Sequence, residues 1–123
     1  MSLHHVQIAA PPGSEDVLCD FYGALGFIEV AETGAPRGPR WLLFTRGGAE
    51  LHVGIEESFV PARKAHPAFD VGADLDAVAS LVVETGAAVT WADREEWAGS
   101  QLAGLRRLHT HDPVGIRVAL VGR

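Results

Sequence analysis

Cysteine is almost missing from this sequence: Cys19 is the only one in 123 residues. An internal disulfide is thereby excluded, and a reducing cytoplasm is the expected home. Cys19 lies among apolar helix-forming residues, which favours a core position over a nucleophile. Long apolar runs are also lacking. No window approaches the roughly 20 apolar residues of a membrane span, and the first residues have neither the basic region nor the apolar stretch of a secretory signal. The expectation is a soluble, unexported protein with no membrane partner. Basic residues are scarce, ten Lys and Arg against sixteen Asp and Glu, for a formal charge of −6. That balance argues against nucleic acid as a partner. The length suits a single domain over residues 1–123, since a half of about 60 residues is marginal alone but two can share one core.

What the chain does contain is the same grammar twice. His5-Val6-Gln7-Ile8-Ala9 opens a strand that leads to a helix closed by Gly26, 21 residues after His5. His66-Pro67-Ala68-Phe69-Asp70-Val71 opens another, whose helix is closed by Gly86, 20 residues after His66. A repeat at this scale means two copies of one supersecondary unit. Module one is predicted over 1–57, a linker over 58–64 and module two over 65–123. In the first strand His5, Gln7 and Ala9 share one face, with His4, Val6 and Ile8 on the other. Ser14 is placed as an N-cap, and Val17, Leu18, Phe21, Tyr22 and Leu25 form the helical stripe. Leu75, Val78, Ala79, Val82 and Val83 form the stripe of the second helix.

Strands are predicted over 27–31, 40–46 and 49–55, then over 87–92, 104–111 and 116–121. Gly47-Gly48 has the composition of a two-residue hairpin turn and sets Leu43 opposite His52 and Trp41 opposite Gly54. Asp112-Pro113-Val114-Gly115 reads as a type I turn followed by a left-handed glycine. It pairs Asp112 with Ile116 and puts His109 opposite Ala119, with Arg107, His109, His111 and Arg117 on one face. Each half is therefore βαβββ, with its helix on one sheet face and histidines on the other. The fold class is α+β. Residues 33–39 read as a loop, and residues 93–103, containing Trp97, read as a lid or rim.

His5, His52 and His66 each fall on the uncovered face of a different strand. Neutral imidazole is a common ligand for zinc, nickel and iron, and three imidazoles leave a coordination position open. The ordinary alternative is three strand histidines bonded to backbone carbonyls.

The chain resembles the vicinal oxygen chelate superfamily, which includes glyoxalase I, extradiol dioxygenases, fosfomycin-resistance enzymes and bleomycin-binding proteins. The resemblance rests on Leu3-His4-His5-Val6, on Phe21-Tyr22-Gly23-Ala24-Leu25-Gly26-Phe27 and on Glu50-Leu51-His52-Val53. In module two it rests on His66-Pro67-Ala68-Phe69-Asp70-Val71, Leu75-Asp76-Ala77 and the run from Arg106 to Gly115. It implies antiparallel-rich curved sheets forming a shared cup, with metal ligands from the first and fourth strands of each module. Carried over, those positions are His5, His52, His66 and Ala119. Ala119 departs from the usual glutamate, as Ile116 departs from an asparagine in the pattern Asp-Pro-x-Gly-Asn-x-x-Glu.

The implied activity is that of a small-molecule metalloenzyme using a divalent Zn, Ni, Fe or Mn ion to bind substrate oxygens and stabilise an enolate or oxyanion. His109 would serve as a fourth ligand or as a hydrogen-bond partner of the shell. Trp41, Leu43, Trp97, Arg107 and Arg117 would contact the substrate, the arginines favouring a carboxylate, phosphate or enolate. No catalytic base stands out; Glu50 shares the face of His52. The alternative is a metal-free protein that sequesters a small molecule, of the bleomycin-resistance type. A homodimer is the assembly the resemblance implies.

Overall fold

The computed structural model describes residues 1–30, 41–92 and 104–123, with the backbone alone for 41–43. The chain forms two compact units, Met1–Pro61 and Ala62–Arg123, dividing within the predicted linker. The architecture is α+β, each unit a βαβββ module with one four-stranded mixed sheet. No helix among the described residues is long and apolar enough to cross a membrane. The predicted loop 33–39, the segment 93–103 and Trp97 lie outside the described residues.

Unit one contains β1 (Val6–Ala10), α1 (Glu15–Ala24), β2 (Ile28–Glu29), β3 (Trp41–Arg46) and β4 (Ala49–Ile55). Its sheet order is β1-β4-β3-β2, with β1 parallel to β4 and the other pairs antiparallel. The glycine turn sets the predicted register, with Leu43 opposite His52 and Arg46 opposite Ala49. Helix α1 ends in a Schellman arrangement. Gly26, at φ 94°, donates its N–H to Gly23 O at 3.0 Å, and Phe27 N–H reaches back to Tyr22 O at 3.0 Å. The accompanying apolar contact is the edge-on pair of Phe27 and Tyr22, with ring centroids 6.0 Å apart. At the other end Ser14 does not cap α1; its Oγ donates to Pro11 O at 2.6 Å and ties the Pro-Pro-Gly turn to the helix. The core is aromatic, with Tyr22 5.6 Å from Phe44 and 5.0 Å from Phe21. Val17, assigned to the stripe from sequence, is instead 48% exposed.

Unit two contains β5 (Ala68–Asp70), a 3-10 turn (Gly72–Asp74), α2 (Leu75–Glu84), β6 (Thr90–Trp91), β7 (Arg106–His111) and β8 (Arg117–Gly122). The order β5-β8-β7-β6 repeats that of unit one, including the parallel pair β5 and β8. Asp112 anchors the last hairpin: its buried Oδ1 accepts the N–H groups of Val114 at 3.0 Å and Ile116 at 2.9 Å. Gly115 takes the left-handed conformation, φ 92°, and His109 stands opposite Ala119 as predicted. Leu75, Val78, Ala79 and Val82 face the core, while Val83 is 54% exposed. Arg106 clamps Asp76 of α2 in a bidentate ion pair, at 2.9 and 2.7 Å, and its guanidinium lies 5.2 Å from the Trp91 ring centre. Through those hydrogen bonds the guanidinium holds the Asp76 carboxyl below the usual carboxylate range, and Arg106 is raised in turn.

β2 and β6 extend for only two residues each, shorter than predicted. Among the described residues both are edge strands with a single pairing partner, and their side chains are exposed, so little burial favours lengthening them.

Candidate functional site

The pairing register defines which side chains are equivalent in the two units. Gln7 pairs with His52 across β1 and β4, and Ala68 pairs with Ala119 across β5 and β8. His5 precedes Gln7 by two residues and His66 precedes Ala68 by two, so His5 and His66 occupy the same position in their units. His52 then corresponds to Ala119, Leu43 to His109, and Glu50 to Arg117. Neither His5 nor His66 lies within its strand; both sit in the exposed segment leading into it.

In unit one the imidazoles of His5 and His52 stack, with centroids 4.1 Å apart and planes within 6°. His52 is half-buried and His5 exposed. In unit two, where Ala119 offers no ligand atom, the ring of His66 meets that of His109 instead, at 5.6 Å and 71°. Each unit therefore pairs its leading histidine with an imidazole on the sheet, drawn from β4 in one case and from β7 in the other. His66 Nδ1 lies 2.8 Å from Lys64 O. A carbonyl only accepts, so Nδ1 donates, and this hydrogen bond orients the ring as it does in metal-binding histidines. The nitrogen donor set and this carbonyl fit a divalent ion such as zinc, nickel or iron.

Sequence reasoning missed one member of this cluster. Alternation set His4 on the face opposite His5, but the ladder begins at Val6 and alternation does not govern residues ahead of it. His4 Nδ1 lies 2.8 Å from His5 Nδ1 and 3.4 Å from Glu50 Oε2, which is itself 3.9 Å from His52 Nε2. The adjacent pair His4-His5, running into a strand parallel to one that carries Glu50 and His52, was the signal that could have found it.

The substrate residues divide similarly. Arg107 and Arg117 stand on β7 and β8, both half-buried, opposite Val121 and His111. Trp41 and Leu43 are located by backbone only, opposite Gly54 and His52.

Neither a protein-family model nor a curated protein matches the sequence. Solved structures do. A Bacillus anthracis protein assigned to the glyoxalase family is 31% identical, with a TM-score of 0.78, over 100% of this chain and 95% of its own. The fosfomycin resistance protein FosX from Mesorhizobium loti is 18% identical, TM-score 0.70, over 99% of this chain and 92% of its own. A glyoxalase/dioxygenase from Nostoc punctiforme is 21% identical, TM-score 0.69, over 98% and 90%. The last two share the fold; the first, with its identity and its coverage of both chains, goes further. With the repeated βαβββ units and the histidines at their equivalent entries, this chain belongs to the glyoxalase family, within the vicinal oxygen chelate superfamily.

Proposed function

We propose that the chain is a small-molecule metalloenzyme of the glyoxalase-like type, with a divalent Zn, Ni, Fe or Mn ion held by His5, His52 and His66. His109 would be a fourth ligand or a hydrogen-bond partner of the shell. The observation that carries this reading is the register equivalence of His5 with His66, each paired with a sheet imidazole. Bound there, the ion would supply Lewis acidity to substrate oxygens and stabilise an enolate or oxyanion. The chain's own residues would orient and discharge the substrate. Arg107 and Arg117 would clamp a carboxylate or phosphate on the substrate. Glu50 Oε2 lies 3.9 Å from His52 Nε2, and no catalytic base is assigned. Trp41, Leu43 and Trp97 would supply apolar contact.

A second reading is favoured by one observation. Ala119, 1% exposed, occupies the ligand register of β8 and brings no donor. A metal-free protein that binds a small molecule in the manner of the bleomycin-resistance type would need none. Elemental analysis of untagged protein purified without a metal-affinity step separates the two. The metalloenzyme reading expects about one divalent ion per chain, and at least tenfold weaker binding in His5→Ala and in His52→Ala. Protein that is metal-free and has no affinity for added zinc, nickel or manganese would transfer the proposal to the binding protein. The working assembly is proposed to be a cytoplasmic homodimer; light scattering that finds only single chains at micromolar concentration would sink that part.

A further inference from the structure

The donor cluster at the start of unit one is richer than the three histidines require. One ring nitrogen each from His4 and His5 and a Glu50 carboxylate oxygen all lie within 4.8 Å of one another. We infer that Glu50 and His4 of unit one are ligands of the ion beside His5, so that the shell contains a carboxylate although Ala119 offers none. This rests on the metal-binding reading and changes the composition of its shell.

Spacing is the first argument. Donors at about 2.0–2.1 Å from one ion are separated by about 2.9 Å at right angles and about 3.4 Å at the tetrahedral angle. The His4–His5 nitrogen pair at 2.8 Å and the His4–Glu50 pair at 3.4 Å match those two edges. Protonation is the second. Two imidazole nitrogens 2.8 Å apart need a shared proton between them, because two lone pairs would repel. A carboxylate 3.4 Å away adds negative charge at the same point. Two nitrogens with one carboxylate form a donor set used by zinc, manganese and iron.

The third argument is the contrast with unit two. The position equivalent to Glu50 is Arg117, so the same point in the repeat carries a carboxylate in one unit and a guanidinium in the other. Like-charge repulsion would disfavour an ion beside Arg117, whereas Glu50 attracts it. The register therefore sorts the two roles: cation toward His4, His5 and Glu50, substrate anion toward Arg107 and Arg117.

The test is a titration of untagged, chelator-treated full-length protein with Co(II), read by the visible d–d absorption, whose intensity reports coordination number. His4→Ala and Glu50→Gln are compared with wild type and with His66→Ala; His4 is exposed and Glu50 half-buried, and circular dichroism checks that each variant folds. At least fivefold weaker Co(II) binding in both His4→Ala and Glu50→Gln supports the inference. Less than fivefold in either one overturns it. If those two are unchanged while His66→Ala binds at least tenfold more weakly, the three-histidine reading stands and only this inference falls. If wild type binds no Co(II), both fall together.

Discussion

Unit one packs Phe21, Tyr22, Phe27 and Phe44 into its core, whereas unit two fills the corresponding layer with Leu75, Val82, Leu108, Val118 and Leu120. Strand order, parallel first pair and a left-handed glycine after the helix are nevertheless the same in both. The topology is thus carried by turn chemistry and alternation, and the core tolerates an exchange of aromatic for aliphatic volume. Away from the core the exchange has a chemical consequence. His52, Glu50 and Leu43 in unit one become Ala119, Arg117 and His109 in unit two, so equivalent positions carry different charges and different polar groups.

The largest expected effect comes from breaking the aromatic core. Phe44, 1% exposed and in contact with the Tyr22 and Phe27 rings, should cost about 3–5 kcal/mol when changed to Ala. Leu108→Ala, at an aliphatic site buried to 0% exposure, should cost about 2–5 kcal/mol. Urea unfolding followed by tryptophan fluorescence and by circular dichroism would measure both. Equal losses in the two variants would say that the aromatic packing adds nothing beyond buried volume.

Next in size is Ala119→Glu, which puts a carboxylate at the position in unit two equivalent to His52 of unit one. The site is 1% exposed, so the longer side chain must displace neighbours at about 1–3 kcal/mol and bury a carboxylate as well. Thermal stability should fall in chelator and recover when zinc is added, because only an ion satisfies the new carboxylate. A loss that zinc does not relieve would detach Ala119 from any metal site.

Much of this comparison was legible in the sequence. Gly47-Gly48 and Asp112–Gly115 each fixed a hairpin register to the residue, because a tight turn leaves the strands no freedom to slip. Strand ends were less legible. His5 and His66 read as strand residues, yet the ladders begin at Val6 and Ala68, where the parallel partner's backbone begins to pair. The placement of His4 beside His5 follows from that shortening, and no periodicity argument could reach it. Val17 and Val83 were read as core because their spacing is helical, but the buried stripe of each helix is narrower than its apolar composition. The Asp76–Arg106 clamp, 30 residues apart in sequence, depends on how α2 lies against β7, which pattern alone does not give.

The two helix-ending glycines sharpen the comparison at a smaller scale. Gly26 and Gly86 share φ 94°, so an alanine at either should cost about 1–2 kcal/mol of left-handed strain. At Gly86 an added Cβ would meet nothing within 4 Å, while at Gly26 it would lie 2.7 Å from Arg46 Nε. Arg46 is the flexible end of a side chain and can swing aside. Gly26→Ala should therefore be slightly the more damaging in urea unfolding, and a gap above about 1–3 kcal/mol, the range for a rigid overpacked site, would mean that Arg46 is held.

The smallest effect concerns the Asp76–Arg106 ion pair of unit two. Asp76 is exposed, and hydrogen bonds from Arg106 lower its folded-state pKa. A carboxyl lowered on folding contributes stability that is fully present above its unfolded value, about 3.9, and that is lost as pH falls through the folded value. Arg106 keeps its charge throughout this range, so the acid limb belongs to Asp76. The midpoint of urea unfolding should fall less steeply in Asp76→Asn than in wild type below about pH 4, with the two converging at the lowest pH. Above pH 5 Asp76→Asn should be less stable by a small, salt-sensitive amount, because water screens an exposed pair. If the wild-type and Asp76→Asn curves are parallel across the acid limb, the clamp is a contact without energetic consequence, and α2 is held to its sheet by the apolar face of Leu75, Val78, Ala79 and Val82.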